Sequence, residues 1–170
     1  MLPEVDPTTG FLPIGSHRAT LEEIRERFVD EAPHARDRRS QIFGALLTYL
    51  DALRGFFPSG LALVDGGFTT HKVDAPHDVD VVLLPDDPTV AANWDEHTYT
   101  DFQGLLTLQD VIVGGQNASY FNRIQPYAGL LDSFLAAPER ELEWRNLWGA
   151  VRGPDGQPIL NTKGYLEVRW

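Results

Sequence analysis

Leu61-Ala62-Leu63-Val64-Asp65-Gly66-Gly67, ten intervening residues, and then Asp78-Val79-Asp80-Val81-Val82-Leu83-Leu84 form the stretch on which the fold turns. Leu61 to Val64 is a short apolar run closed by a glycine turn, and Val79 to Leu84 is apolar on both faces except at its start. Both runs read as strands buried in a sheet. Residues two apart on a strand share a face, so Asp78 and Asp80 point the same way, their Cα atoms roughly 7 Å apart. Two carboxylates this close repel when both are ionised. A divalent cation relieves that repulsion, and hard Mg²⁺ prefers carboxylate oxygen together with substrate phosphate. The Gly66-Gly67 pair suits a turn whose amides approach phosphate closely, because no side chain stands in the way.

A third acid lies further along, inside Gly129-Leu130-Leu131-Asp132-Ser133-Phe134-Leu135. Alternation puts Leu130, Asp132 and Phe134 on one face of this strand and Leu131, Ser133 and Leu135 on the other. An aspartate in mid-strand is unfavourable by propensity and costly if buried unpaired, and a neighbouring strand that carries a cation site accounts for it.

Upstream, residues 1–19 read as an extended arm rich in Pro and Gly. Thr20-Leu21-Glu22-Glu23 is a capping box opening a helix to about Glu31, before Pro33. Ile42, Leu46, Tyr49, Leu50 and Leu53 fall on one helical stripe that Gly55 stops. Downstream, residues 89–98 read as irregular, Tyr99 to Leu108 as a weaker helix, and Gly114-Gly115-Gln116-Asn117 as a loop. Trp144 and Trp148 stand one helical turn apart, as a core or partner-docking stripe. Gly153-Pro154-Asp155-Gly156 is a turn, and Tyr165 to Trp170 a terminal strand. Helices and strands interspersed in this way predict an α+β domain, a mixed β-sheet flanked by helices, with residues 1–170 as one domain and 61–135 as its signature core.

The 170 residues include 14 Lys and Arg against 25 Asp and Glu, a formal charge of −11, and no Cys. Disulfides, thiolate zinc sites and a cysteine nucleophile are excluded. The charge disfavours a broad nucleic-acid track, though not a short local grip. No window reaches the ~18 apolar residues of a membrane span. The opening Met-Leu-Pro-Glu-Val-Asp-Pro lacks the basic start and apolar run of a signal peptide. A cytoplasmic protein is expected.

Gly66-Gly67, the ten-residue spacing, Asp78-Val79-Asp80 and the later Asp132 together resemble the signature of the nucleotidyltransferase superfamily with the polymerase-β-type fold: a Gly-Ser turn, a spaced Asp-x-Asp or Asp-x-Glu, and a third acid on a following strand. The wider pattern is similar to a compact branch of that superfamily, in His17-Arg18-Ala19-Thr20-Leu21-Glu22, Asp65-Gly66-Gly67-Phe68, Gln125-Pro126-Tyr127-Ala128-Gly129 and Lys163-Gly164-Tyr165-Leu166-Glu167-Val168. The resemblance implies one or two Mg²⁺ on Asp78, Asp80 and Asp132, which are also the catalytic carboxylates. It implies an NTP as substrate and a hydroxyl acceptor on an RNA end, a protein side chain or a small molecule. Gly66, Gly67, Thr69 and Lys72 are the expected phosphate contacts. Members include toxin–antitoxin transferases, so a protein partner is a further expectation. The family's phosphate-binding Ser falls at Gly67, which has no hydroxyl.

The same residues have plainer readings. Asp78 and Asp80 can simply open a strand, and Asp132 can face solvent on an edge. Lys72 reads equally as a solvated loop lysine, and Lys163 as structural or exposed. His71 and His77 read as solvated loop histidines, and Arg36, Arg38 and Arg39 as a solvated charge run. With water as acceptor the same acids serve a phosphodiesterase, and without turnover they serve a nucleotidyltransferase-like binding protein in a toxin–antitoxin or phage-defence pair.

Overall fold

The computed structural model describes residues 1–115 and 118–170. Its chain forms β1 (Gly15–Arg18), α1 (Leu21–Arg25), α2 (Arg36–Leu53), β2 (Gly60–Asp65), β3 (Val79–Pro85), α3 (Glu96–Gln103), β4 (Leu108–Val113), β5 (Ser119–Ile124), β6 (Leu131–Leu135), α4 (Glu141–Trp148), β7 (Val151–Arg152), β8 (Pro158–Ile159) and β9 (Gly164–Arg169). Five strands make one mixed sheet in the order β1-β9-β2-β3-β6, while β4 pairs with β5 and β7 with β8 as separate two-stranded units. Within the sheet, β2 is antiparallel to both β3 and β9, whereas β3 runs parallel to β6 and β1 parallel to β9. The protein is α+β, with a mixed sheet flanked by helices.

The capping box forms as the sequence predicts. The Glu23 amide donates to the Thr20 hydroxyl and the Thr20 amide to the Glu23 carboxylate. The helix then widens into a π-helical turn over Glu26–Asp30 that buries Phe28 and Val29. The long apolar stripe of α2 lies against one sheet face, where Ile42, Leu46, Tyr49, Leu50 and Leu53 meet Ala62, Val64, Val79, Val81, Leu83, Leu131, Leu166 and Val168. Strand residues of the other parity face the opposite side. There Leu63, Val82 and Tyr165 pack a smaller core with Ala136 and Trp148, bordered by Phe134 and Trp144. The tryptophan pair is thus a core stripe, its rings 5.1 Å apart and near perpendicular.

The extended arm of residues 1–19 is anchored, with Leu2, Val5 and Leu12 buried, and its end is strand β1. Several expectations need correcting. The helix expected at Tyr99–Leu108 begins earlier because Asp95 caps it, its carboxylate accepting from the Thr98 amide, and it ends at Gln103. Leu108 instead opens β4, which with β5 was not foreseen. The sixth strand starts at Leu131, since Tyr127, Ala128 and Gly129 all take positive φ in a tight turn. Of the predicted loop at Gly114–Asn117, Gln116 and Asn117 lie outside the described residues. No described helix is long and apolar enough to cross a membrane.

Candidate functional site

Register decides where the acids go. Asp65 at the end of β2 stands opposite Asp80 on β3, and Asp80 stands opposite Asp132 on β6. Directly opposed residues share a face, so three carboxylates form a row across three neighbouring strands. The row lies on the second face of the sheet, the parity of Leu63 and Val82. Asp78, one step before β3, flanks the row. Of the expected site residues, Asp80 and Asp132 stand in register on neighbouring strands and Asp78 lies just before β3. Sequence reasoning missed Asp65, which was treated only as the residue closing a strand.

Each acid has its own partner. Asp65 is buried and pairs with Lys163, which reaches across from the residue preceding β9 and is itself buried. The Thr69 hydroxyl donates to Asp65 Oδ1 (3.1 Å). Asp132, 6% exposed, pairs with Arg123 of β5, and its Oδ1 has no donor among the described residues. Asp78 Oδ2 accepts from Gln125 Nε2 (2.7 Å). Burial pushes the Asp80 carboxyl up to about 6, the negative charges of Asp78 and Asp65 push the same way, and Lys163 and Arg123 pull against them. Asp65 also rises to about 6 through burial, opposed first by Lys163.

The glycine turn fits tightly over this row. Gly66 has φ 90° and ψ −166°, a conformation essentially restricted to glycine, and a Cβ there would collide with the Asp80 carboxylate. Gly67 carries no such demand, because a Cβ at that position meets only Pro76 at ordinary contact distance. Beside the turn opens a cavity of about 170 Å³ lined by Gly66, Gly67, Thr70, Lys72, Arg152 and Lys163 among others. Three cationic side chains thus meet the exposed backbone of a glycine turn next to the carboxylate row. Thr69, expected to contact phosphate, does not reach this cavity. It is buried with its hydroxyl turned to Asp65 and the Gly66 carbonyl. Lys72 lines the cavity and also sits over the Phe11 ring, 4.7 Å from its centroid.

Two arginines of the supposed solvated run hold the loops in place. Arg39 is wholly buried and donates to the carbonyls of Phe68 (2.8 Å), Thr70 (2.7 Å), His34 (3.1 Å) and Phe28 (3.4 Å). Arg38 donates to the carbonyls of Pro76 (3.3 Å) and His77. The first turn of α2 therefore pins both the segment after Gly66-Gly67 and the segment leading into Asp78. His71 is likewise not simply solvated. It contacts the Arg27 carbonyl (2.8 Å) and packs edge-on to Phe28, and burial lowers its pKa.

A larger open basin of about 740 Å³ lies at the far end of the same sheet face. Its arginines face acids, Arg145 pairing with Glu167, Arg169 with Asp86, and Arg18 standing 3.8 Å from Glu167.

A family model matches residues 3–169, nearly the whole chain. The protein belongs to a family of unknown function, DUF6932. No curated protein and no solved structure matches it.

Whether the row suits a cation is a matter of donor chemistry and of what each carboxylate already holds. Among the described residues no three acidic or histidine side chains are gathered as a ready-made cation cage. The donors are all carboxylate oxygens, the set that Mg²⁺ prefers, and the buried Asp132 Oδ1 awaits a partner. The residues fit such an ion in kind, and in this structure Arg123 pairs with Asp132 and Lys163 with Asp65.

Proposed function

We propose that this DUF6932 protein is a Mg²⁺-dependent nucleotidyltransferase with a nucleotidyltransferase-like fold, moving a nucleotidyl group from an NTP to a hydroxyl acceptor. The observation that carries the reading is the juxtaposition of the in-register acidic row with the cation-lined cavity at the Gly66-Gly67 turn. An NTP needs both halves at once, a carboxylate cluster at its α-phosphate and a cationic cradle for its outer phosphates.

Asp78, Asp80 and Asp132 would hold the metal, which supplies neutralisation of phosphate charge and a Lewis acid for the acceptor oxygen. Lys72, Arg152 and Lys163, with the Gly66 and Gly67 backbone, hold the β- and γ-phosphates. Arg152 and Lys163 replace Thr69 in that role. Asp132 accepts the proton of the acceptor hydroxyl. The acceptor oxygen bonds to the α-phosphorus in line as the bond to the bridging β-phosphate oxygen breaks, and pyrophosphate leaves. RNA ends, protein side chains and small molecules all supply such a hydroxyl.

The test is incorporation of label from α-labelled NTPs with Mg²⁺, using cell extract as the source of acceptor. Wild type labels a product and an Asp78→Ala/Asp80→Ala variant does not. Equal labelling by both removes the assignment.

A second reading draws on Gly67 and on the pairing of Asp65 and Asp132 with Lys163 and Arg123: a nucleotide-free binding protein in a toxin–antitoxin or phage-defence pair. Calorimetry with Mg²⁺ and each NTP separates the two, since only the transferase binds nucleotide.

A further inference from the structure

The paired strands β4 and β5 stand on the acidic row by two feet. At the first, the Thr107 amide donates to the Ser133 carbonyl (2.9 Å) and the Ser133 amide to the Thr107 hydroxyl (3.0 Å), one residue from Asp132. At the second, Arg123 pairs with Asp132 and Gln125 donates to Asp78. Gln125 is extended, with φ −103° and ψ 143°, so Arg123 and Gln125, two residues apart, reach to the same side. One short run of chain therefore holds two of the carboxylates that the proposed function gives to a metal.

Away from its feet the arm has little to hold it. All six residues of β5 and four of the six in β4 are exposed, and among the described residues the two strands pair only with each other. An isolated two-stranded hairpin is marginal in water. Segments with few buried contacts and exposed backbone hydrogen bonds open most readily. Beyond the neutral Thr107–Ser133 foot, the arm is held at its base by two contacts to carboxylates, and a guanidinium and a divalent cation compete for the same carboxylate.

We propose that Arg123 and Gln125 are a clasp that holds Asp132 and Asp78 until a divalent cation takes them, so that filling the site frees the β4–β5 arm from the sheet. This rests on the nucleotidyltransferase reading only in assigning those carboxylates to a cation. It adds that loading the site and moving the arm are one equilibrium, with the intramolecular cation as competitor.

Mn²⁺, visible by electron paramagnetic resonance, is the probe. Arg123→Met removes the competitor and keeps its bulk, and it should bind Mn²⁺ about tenfold more tightly than wild type, while Arg123→Lys stays close to wild type. In the unmodified protein, hydrogen exchange of the β4 and β5 amides should accelerate on adding Mn²⁺ while β2 and β3 amides do not. That second measurement needs no variant and decides the matter if Arg123→Met does not fold. Equal or weaker Mn²⁺ binding by folded Arg123→Met, or β4 and β5 amides that exchange no faster with the ion, overturns the clasp. Asp132→Asn tells the two failures apart. If it abolishes Mn²⁺ binding while Arg123→Met behaves as wild type, the metal reading stands and the clasp falls. If wild type and Asp132→Asn bind equally, or neither binds, both fall.

Discussion

Asp80 sits at the centre of the row with an acid on either side in register and a third, Asp78, two residues away, and among the described residues no side chain forms an ion pair with it. Its carboxyl is pushed up to about 6 by burial first and by its neighbours second. An unfolded aspartate titrates near 3.9. Between these values the native state binds the extra proton, so stability contributed by this group falls as pH rises from about 4 to about 6 and is lost above. Asp80→Asn removes the ionisation and keeps the shape. It should therefore stabilise the ion-free protein by about 2 kcal/mol at pH 8, with the gain vanishing near pH 4. Urea denaturation of both proteins at the two pH values, in chelator, measures this. A gain of the same size at both would show that charge at Asp80 is not its source. The same strain is what a bound cation relieves, so Mn²⁺ affinity in the wild type should fall as pH drops through about 6.

The element that fixes the site is α2, and it does so from its first turn rather than from its apolar stripe. Arg39 is fully buried with four carbonyl acceptors and no carboxylate, its pKa lowered by that burial. Arg39→Met leaves those carbonyls without a donor in a dry interior, at a cost of about 2–4 kcal/mol. Chemical denaturation should register that loss, and the amides of Phe68 to Thr70 should exchange faster while those of the α2 stripe are unchanged. A loss below about 1 kcal/mol would mean that the loop is held by other contacts. The contrast between the two ends of α2 shows what a sequence discloses. Ile42 to Leu53 announce themselves by period, and so do β2 and β3, because one-sided or complete burial writes a pattern into neighbouring residues. Arg39 and Lys163 write none. Each is a single polar residue with partners far along the chain, Arg39 as far as Thr70 and Lys163 at Asp65, 98 residues away, and charge runs are usually solvated. The β4–β5 arm was illegible for the opposite reason. It is exposed on both faces, and Asp110 at φ 54° interrupts its regular extension, so no inside-outside alternation survives. Asp78, Asp80 and Asp132 were legible because aspartates at the head or middle of apolar strands conflict with propensity, while Asp65 looked like an ordinary turn residue.

At the scale of the molecule the two ends of the chain meet beside the site. β1 from the arm pairs with β9 from the C-terminal stretch, and β9 in turn pairs with β2. The arm is stitched down along its length, the Gly164 amide donating to the Leu12 carbonyl (3.1 Å) and the His71 amide to the Gly10 carbonyl (2.9 Å). Lys163, which neutralises Asp65, is the residue just before β9, so the arm that positions β9 also positions a cation of the row. Removing residues 1–19 strips the outer edge of β9 and takes away the buried side chains of Leu2, Val5 and Leu12. Fully burying such a side chain contributes about 1.5–3 kcal/mol. Three of them, with a whole strand pairing, are comparable to the roughly 5–15 kcal/mol by which a domain is stable. The truncated chain should therefore lose its cooperative thermal transition by circular dichroism and run as aggregate in size exclusion, its bared β9 edge open to other chains. A truncated protein that stays monomeric and melts within about 5 °C of the full chain would show the arm to be dispensable, since for a chain of this size a loss of only 1 kcal/mol already moves the midpoint by roughly 2–4 °C. In that case the position of Lys163, and with it the charge balance of the acidic row, rests on β2 and the Asp65 pair alone.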